Sequence, residues 1–395
     1  MLPLLCALPA TLRAQVSFGE ATRFDDGWLF RLGDDTTARR PAYDDASWRR
    51  LRLPHDWSVE AQLSPSLASC TGYLPGGVGW YRKHFTVDDT SRRRYVYFEG
   101  VYNRSEVYLN GHLLGCRPNG YVSFLYDMTP YLRAGDNVLS VRVDHSRYAD
   151  SRWYTGSGIY RDVWMVEAGD VHLAQWGVGF RVDAIDARRA EATVEVAVER
   201  HAATAGRLEL EVALLNAEGR RVAFRRMRVA DGGEGIVDLS LPLRIAAPRR
   251  WSLDDPYLYT LETRLLRGGE RIDGCTTRVG LRSLRFDADR GFALNDRWMK
   301  VKGVCLHHDA GVLGAAVPRE VWQRRLVNLK AIGVNAIRMS HNPQAPAVYD
   351  LCDELGLLVM DEASDEWEFP KRKWIEGWNV GEPGFDGSYD FFEEW

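Results

Sequence analysis

Three short apolar runs, each followed at once by polar side chains, constrain the fold of this chain more than any other feature. The runs cover residues 301–306, 334–339 and 357–360, and segments with helical periodicity separate them. Buried parallel strands joined by helices have this pattern. The carboxyl ends of such strands face the ligand, in open sheets and in closed barrels alike. The side chains expected at that edge are His307-His308-Asp309, Ser340-His341-Asn342 and Asp361-Glu362.

The two segments between the runs are predicted to be helices. The first begins near Pro318, whose missing amide hydrogen costs nothing at a helix start, and it ends before Gly333. The second runs from about Ala345 to Gly356. Each segment is long enough to cross back over the sheet. We therefore expect an α/β fold in residues 282–395.

Residues 16–168 and 169–281 are each expected to form an all-β domain. Short strand-like segments alternate with turn signals in both, and Asn110-Gly111 can supply the two positive φ angles of a tight hairpin turn. The first domain has the size of a jelly-roll sandwich, and roughly seven strand candidates in the second suit an immunoglobulin-like sandwich. Two clusters rich in glycine and aromatic residues, 72–81 and 151–158, are predicted to be loops, where binding groups concentrate.

Charge and cysteine content exclude several classes of function. The formal net charge is −4 and the charges are interspersed, so the sequence shows no electrostatic footprint for nucleic acid or an anionic membrane. The six cysteines have no Cys-x-x-Cys spacing, which predicts neither a zinc site nor a disulfide framework. We expect them to be buried thiols.

Residues 1–15 resemble an export signal, since the apolar, small-residue-rich run gives way to polar residues from Gln15. The run is too short to cross a bilayer, and no other stretch is predicted to span one. A periplasmic or secreted protein is expected, and a misassigned start codon is the alternative.

Arg338 lies inside an apolar run, where a buried cation requires a carboxylate partner. Asp361 or Glu362 on the neighbouring strand is the expected partner. The acidic segment that begins at Asp361 has a plainer interpretation too, as a solvated charged loop.

Histidines and an asparagine near the strand ends are candidates for binding. Asn342 precedes Pro343, so its backbone is expected to be extended, which leaves His341 and Asn342 near the mouth of the strand. His307 could contact a substrate, belong to a metal cluster with its neighbours, or be a structural loop residue. These three alternatives stay open on the residues alone.

The whole chain resembles the first part of a glycoside hydrolase of family 2, and its bacterial β-galactosidases most closely. The matching segments occur in family order and cover nearly the full length. They are Pro54-His55-Asp56-Trp57, Gly79-Trp80-Tyr81-Arg82-Lys83, Val107-Tyr108-Leu109-Asn110-Gly111, Gly158-Ile159-Tyr160-Arg161-Asp162-Val163, Lys302-Gly303-Val304, Asn335-Ala336-Ile337-Arg338-Met339-Ser340-His341 and Asp361-Glu362-Ala363.

The resemblance implies a multidomain fold: a sugar-binding jelly-roll β-sandwich, an immunoglobulin-like β-sandwich and the first strands of a (β/α)₈ TIM barrel. It implies that His307 and His341 contact sugar hydroxyls and that Arg338 supports the pocket of the nucleophile. Asn342, where many relatives carry tyrosine, Asp361 and Glu362 complete the expected substrate-binding set. Glu366 falls where some relatives hold magnesium. No cofactor is expected to be required, with Mg²⁺ or Na⁺ as the candidate ions.

The resemblance implies a retaining mechanism in which one carboxyl group donates a proton and a second, about 5 Å away, attacks the anomeric carbon. A full barrel takes about 250 residues, and three barrel strands are visible after Lys300. We expect both catalytic glutamates beyond Trp395, in a longer gene product, and no turnover by this chain alone.

Three functions are consistent with the sequence. The first is hydrolysis of a β-galactoside or related oligosaccharide, and the second is β-glucuronidase or β-mannosidase activity of the same family. The third is a non-catalytic carbohydrate-binding protein built on the jelly roll. A homo-oligomer is compatible with each.

Overall fold

The computed structural model describes residues 16–147, 150–202 and 206–365. The described part begins with ten strands in two antiparallel sheets that form a β-sandwich. The strands are β1 Glu20–Arg23, β2 Trp28–Leu32, β3 Arg49–Leu51, β4 Gly77–Val87, β5 Arg93–Phe98, β6 Ser105–Leu109, β7 His112–Arg117, β8 Phe124–Asp127, β9 Gly135–His145 and β10 Val163–Ala168. One sheet has the order β1-β10-β5-β8 and the other β3-β2-β4-β9-β6-β7.

Apolar side chains from both sheets fill the space between them, including fully buried Trp28, Phe98 and Val141. The predicted hairpin is confirmed, because β6 and β7 pair across Asn110 and Gly111, whose φ angles are 51° and 86°. Both angles are positive, as a type I′ turn requires.

The prediction of a loop at 72–81 is wrong for its second half, because 77–81 belong to β4. Trp80 and Tyr81 are 1% and 0% exposed, and they belong to clusters on opposite faces of the sheet. Tyr81 packs in the core of the sandwich, whereas Trp80 packs beneath Trp48 from the segment that covers the outer face. A strand covered on both faces shows no alternation of polar and apolar residues, which hid it in the sequence.

A second sandwich follows, with sheet orders β11-β12-β15 and β14-β13-β16-β17 once its strands are numbered on from the first. The strands are β11 Val171–Ile185, β12 Arg189–Arg200, β13 Leu208–Leu215, β14 Arg221–Arg228, β15 Gly235–Ala246, β16 Tyr259–Arg267 and β17 Glu270–Val279. The five strand segments predicted here are confirmed within a few residues. Its core continues into the first sandwich through Phe18, Tyr95 and Trp164.

A small antiparallel sheet links the second sandwich to the α/β part, with strands β18 Leu284–Asp287, β19 Gly291–Leu294 and β20 Arg297–Met299. Within the described ranges, five single-turn 3₁₀ helices occur in the loops, at Thr36–Arg39, Ser58–Glu60, Ser69–Thr71, Thr129–Tyr131 and Gly311–Leu313.

The last described part is the predicted βαβαβ unit, and its strands are parallel as expected. Helix α1 starts after Pro318, and α2 ends at Gly356, whose φ of 72° is the left-handed cap that glycine favours. Trp322 and Leu326 on α1 are buried against the strands. The elements are β21 Gly303–Leu306, α1 Arg319–Ala331, β22 Ala336–Met339, α2 Pro346–Leu355 and β23 Leu358–Met360.

Among the residues the structure describes, none of the helices has the length and apolar character needed to span a membrane.

Candidate functional site

The carboxyl ends of β22 and β23 bring together a cation, an imidazole and a carboxylate. Arg338 Nε donates a hydrogen bond to Glu362 Oε1 (2.6 Å), and His341 Nδ1 lies 2.7 Å from Glu362 Oε2. Of the two carboxylates predicted to pair with Arg338, the structure selects Glu362. Arg338 Nη2 lies 3.3 Å from the same Nδ1, but the shorter contact is with the carboxylate, which only accepts, so it favours the tautomer with the hydrogen on Nδ1 and Nε2 as acceptor.

The prediction that Arg338 is buried is wrong. The side chain of Arg338 is 40% exposed among the described residues, so it is not a buried cation. Arg338 is the third residue of a four-residue strand, and its guanidinium emerges at the strand end. The pair therefore orients Arg338 and Glu362 more than it stabilises the fold, because solvent screens an ion pair of this exposure.

The two adjacent histidines after β21 have different environments. The ring of His307 is 5.4 Å from that of His341, centroid to centroid, so it reaches the predicted site. Burial, together with the nearby His341, lowers the pKa of His307, so it is neutral at pH 7. A neutral imidazole can both donate to and accept from a hydroxyl group.

His308 is buried away from that site, between Tyr121 and Tyr160. Its Nε2 donates to the carbonyl oxygen of Thr155 in the first sandwich (2.9 Å). Burial lowers its pKa to about 4, so the ring is a neutral structural link. The described contacts give no support to a metal cluster of His307 with His308.

A tryptophan from the first sandwich covers the two histidines of the site. The centroid of Trp153 lies 5.4 Å from that of His307 and 4.9 Å from that of His341. Trp153 Nε1 donates to Tyr121 Oη (3.2 Å), which orients the indole. The sequence predicted that 151–158 is a binding loop but did not single out this residue.

Asp56 holds that loop against the α/β part. Oδ1 accepts from the amides of Ser58 (3.0 Å) and Ser157 (2.9 Å), and Oδ2 accepts from Tyr154 Oη (2.6 Å) and the amide of Ala315 (2.9 Å). Three of these four donors come from segments remote in sequence, and Asp56 is 3% exposed. Gly314 has a φ of 59° and a Cβ there would overlap the carboxylate, so only glycine fits beside it.

Arg161 makes a second bridge between the two parts. Its Nη2 donates to the carbonyl oxygen of Pro343 (2.9 Å), and its Nη1 donates to that of Tyr121 (2.9 Å). Both acceptors adjoin the site, because Pro343 follows His341 closely and Tyr121 orients Trp153. Sequence reasoning had included Asp56 and Arg161 in motifs but had given neither a role.

The remaining predicted residues lie at the margin of this group. Asn342 is buried, and its Nδ2 donates to Asp365 Oδ1 (3.1 Å). Asp361 is exposed and accepts from Tyr349 Oη (2.8 Å). Glu366, the predicted cation ligand, lies outside the described residues.

The prediction of buried cysteines is wrong for most of those described, since only Cys352 is buried. Cys305 is exposed at the site, where Arg338 Nη1 donates to its Sγ (3.5 Å). That hydrogen bond lowers the pKa of the thiol.

The arrangement is suited to binding a polyol. Neutral and charged hydrogen-bonding groups of His307, His341, Arg338 and Glu362 lie beside the apolar face of Trp153, as recognition of a sugar ring by its hydroxyl groups and its apolar face requires.

Curated proteins are similar in sequence to most of this chain. A beta-galactosidase of Bacteroides ovatus, BoGH2A, is 45% identical over 362 residues, which are 90% of this chain and 42% of that protein. A putative beta-glucuronidase of Formosa agariphila is 37% identical over 91% of this chain and 35% of its own length. The chain thus spans about two fifths of the length of these curated relatives.

Solved structures are similar to this chain as well. The crystal structure of a beta-glycosidase from Bacteroides vulgatus superposes with a TM-score of 0.83 and 41% identity, covering 89% of this chain and 46% of that one. A beta-glucuronidase from Bacteroides uniformis, described as a calcium-binding mutant, superposes with a TM-score of 0.79 at 27% identity, covering 87% of this chain and 42% of that one.

Family models match in the order of the described sheets. The sugar binding domain of glycosyl hydrolases family 2 matches residues 65–168, a second model described as glycosyl hydrolases family 2 matches 171–282, and the TIM barrel domain of the family matches 288–370. With three consecutive matches, the parallel strands β21 to β23 are the start of the barrel, and the chain belongs to glycoside hydrolase family 2.

Proposed function

We propose that this chain forms the sugar-binding side of a retaining glycosidase that acts on terminal β-linked galactosides. One observation carries the proposal: His307 and His341 contact Trp153 from the jelly roll, and Glu362 contacts His341, at three successive strand ends on the edge where barrel enzymes bind substrate. The 45% identity to a protein named beta-galactosidase supports the choice of sugar.

The mechanism assigns positioning to the described residues. Glu362 fixes the tautomer of His341, whose Nε2 can accept a hydrogen bond from a ring hydroxyl. Neutral His307 can bind a neighbouring hydroxyl. Trp153 offers its face to the C–H groups of the pyranose. Hydrogen bonds of this kind strengthen as the ring flattens towards the oxocarbenium-like transition state, where they contribute several kcal/mol.

Glu362 is not proposed as acid or nucleophile. Both of its oxygens are engaged, one by Arg338 and the other by His341. A retaining mechanism needs two carboxyl groups about 5–5.5 Å apart, and Glu362 is the single glutamate that the described residues place in this group. We propose that the printed chain binds the sugar without hydrolysing it.

The test combines binding and turnover on a panel of 4-nitrophenyl β-D-galactoside, β-D-glucuronide and β-D-mannoside. Calorimetry with the 395-residue chain should show the galactoside bound at least about tenfold more tightly than the others, a difference of about 1.4 kcal/mol. No nitrophenol should be released. Hydrolysis that is abolished by substituting a residue between Asp361 and Glu394 would show that this chain carries its own catalytic carboxylate.

A β-glucuronide is the second candidate substrate, because relatives at 37% and 30% identity are named as putative or assigned beta-glucuronidases. Preferential binding of the glucuronide in the same panel would select it. Binding of sugars by residues 1–395 and no hydrolysis by a version extended past Trp395 would instead favour the non-catalytic carbohydrate-binding alternative.

Two further expectations belong to this proposal. Residues 1–15 are proposed to direct export to the periplasm or medium, which N-terminal sequencing of the mature protein would test. A cation bound by Glu366 is a separate proposal. The sugar contacts proposed here do not need it, so a chelator should leave sugar binding unchanged.

A further inference from the structure

Three possible metal ligands converge where the two sandwiches meet, far along the chain from the candidate site. They are His172, near the start of β11, Glu199, near the end of β12, and His201, just beyond it. One ligand atom from each lies within 4.8 Å of the other two. Antiparallel pairing sets His172 directly opposite Glu199, and the amide of His201 donates to the carbonyl oxygen of Asp170 (2.8 Å).

The protonation of His172 suits metal binding. Its Nδ1 lies 2.8 Å from the carbonyl oxygen of Leu173, which can only accept, so Nδ1 carries the hydrogen. In the neutral ring Nε2 then carries the lone pair and faces the cluster. Histidines that bind metals usually donate their other ring nitrogen to a carbonyl or carboxylate in this way. His172 is 1% exposed and stacks on Phe18, so its ring is held in place.

The second histidine, His201, directs its Nε2 towards the same cluster. Its Nε2 is 3.2 Å from Glu199 Oε1 and 3.0 Å from Tyr95 Oη. The Nε2 of His172 is 3.1 Å from the same hydroxyl group. Both imidazoles therefore direct the same nitrogen towards one point.

The charges around the cluster can accept a cation. Arg93 donates to Tyr95 Oη (2.9 Å), but its charge is offset by ion pairs with Asp127 and, at 3.8 Å, with Asp170. Glu199 Oε1 lies 3.2 Å from His201 Nε2, and the Glu199 side chain is 33% exposed, which leaves a path for an ion.

We propose that His172 Nε2, His201 Nε2 and a carboxylate oxygen of Glu199 bind a divalent transition-metal ion, Zn²⁺, with water as the fourth ligand. Two imidazoles and one carboxylate match the donor preference of zinc rather than that of magnesium or calcium. On binding, His201 takes the tautomer with its hydrogen on Nδ1: the Nε2 proton leaves to solvent while Nδ1 takes one up, so the ring stays neutral. Tyr95 stays protonated, because burial raises its pKa to about 12, and it acts as a hydrogen-bonding neighbour.

The site lies at the seam between the sandwiches. Tyr95 is on β5 of the first sandwich, whereas all three ligands belong to β11, β12 and the residue that follows them in the second. The site is independent of the proposed sugar site and of the cation proposed at Glu366.

The test is a titration of the chelator-treated 395-residue chain with ZnCl₂, followed by calorimetry. One equivalent should bind, and His201→Gln and Glu199→Gln should each weaken binding by at least about tenfold, the lower end of what even outer-shell substitutions cost. The control is His112→Gln. It removes an exposed histidine of β7 that stacks on Tyr131, and it should leave the affinity for zinc unchanged.

Two outcomes would overturn the proposal. One is that the unaltered chain does not bind zinc. The other is that both ligand variants bind zinc as tightly as the unaltered chain, which would show adventitious binding elsewhere. A second measurement covers the case that a variant does not fold. Co²⁺ added to the unaltered chain should give the intense visible absorption of a four-coordinate site. The weak absorption of solvated Co²⁺ would contradict it.

Discussion

Replacing Asp56 by Asn should release the loop that carries Trp153 while leaving the jelly roll folded. The carboxylate accepts two hydrogen bonds on each oxygen, from Ser58 and Ser157 on one and from Tyr154 and Ala315 on the other. An asparagine keeps one accepting oxygen. Its NH₂ group must then face two donors, whichever way the amide is turned.

The size of the effect follows from those four bonds. A hydrogen bond to a charged group contributes about 1.5–3 kcal/mol, so losing two of them costs about 3–6 kcal/mol locally. Asp56 is buried, so water does not replace the lost acceptor. Each 1.4 kcal/mol is a tenfold change in an equilibrium. Amide protection at 154–158 and 310–317 should therefore fall by more than about 100-fold.

Hydrogen exchange followed by mass spectrometry measures this directly. The matched control is Asp35→Asn, which removes a carboxylate that accepts from the Thr37 amide (3.0 Å) and Tyr43 Oη (3.0 Å) far from the barrel. That variant should leave both segments protected. Unchanged protection of 310–317 in Asp56→Asn would refute the idea that Asp56 joins the two parts.

Three other predictions use different parts of the molecule. Trp153→Ala should weaken β-galactoside binding by about 2- to 13-fold, from the loss of about 0.5–1.5 kcal/mol of aromatic contact. Replacing Trp176 on β11, which is 56% exposed, by Ala should have no effect, and equal losses in both variants would contradict the site. Burial lowers the pKa of His308 to about 4, against 6.5 for a free histidine. As pH falls, the unfolded chain therefore binds a proton at this residue before the folded chain does. The free energy of unfolding should drop by about 3 kcal/mol between pH 6.5 and 4. A His308→Gln variant should show a shallower decline in denaturant titrations, and an identical decline would contradict this. Glu99 behaves oppositely: burial and then Asp162 raise its pKa to about 8, so the folded state keeps a proton that the unfolded state loses, and stability should fall as pH rises from 4.5 to 8. Glu99→Gln should therefore be more stable than the unaltered chain at pH 8, by at least about 1 kcal/mol, and a lower thermal midpoint there would exclude the mechanism.

Local patterns were sufficient to predict the secondary structure of the barrel segment. The apolar runs and helix caps between Gly303 and Met360 are signals of a few residues each, and the parallel pairing follows from them. The meeting of His307, His341 and Glu362 follows too, because successive parallel strands present their carboxyl ends at one edge.

The contacts that complete the site connect residues remote in sequence. Asp56 and Ala315 are 259 positions apart, and Arg161 and Pro343 are 182 apart. No local period encodes such pairs, so their roles emerge only when the sandwiches are placed against the barrel. The same limit applies to Trp153, which lies in a loop that the sequence marks as a binding loop without showing what it faces.

The environment of individual side chains was the other property that the sequence predicted poorly. The sequence predicted a buried Arg338 because its neighbours are apolar, yet the strand ends one residue later and the guanidinium reaches solvent. It predicted a loop at Trp80 and Tyr81, yet both residues belong to β4, whose two faces are covered. Exposure depended on where the strand ends in the first case and on what packs over the strand in the second.

The central claim is that a sugar binds where the jelly roll and the barrel strands meet. A crystal of this chain soaked with a non-hydrolysable aryl 1-thio-β-D-galactoside tests it most directly. The account predicts density for the pyranose ring against Trp153, with hydroxyl groups within hydrogen-bonding distance of His307 and His341. A ring bound only elsewhere, or a site without density at a concentration that saturates binding in solution, would contradict it.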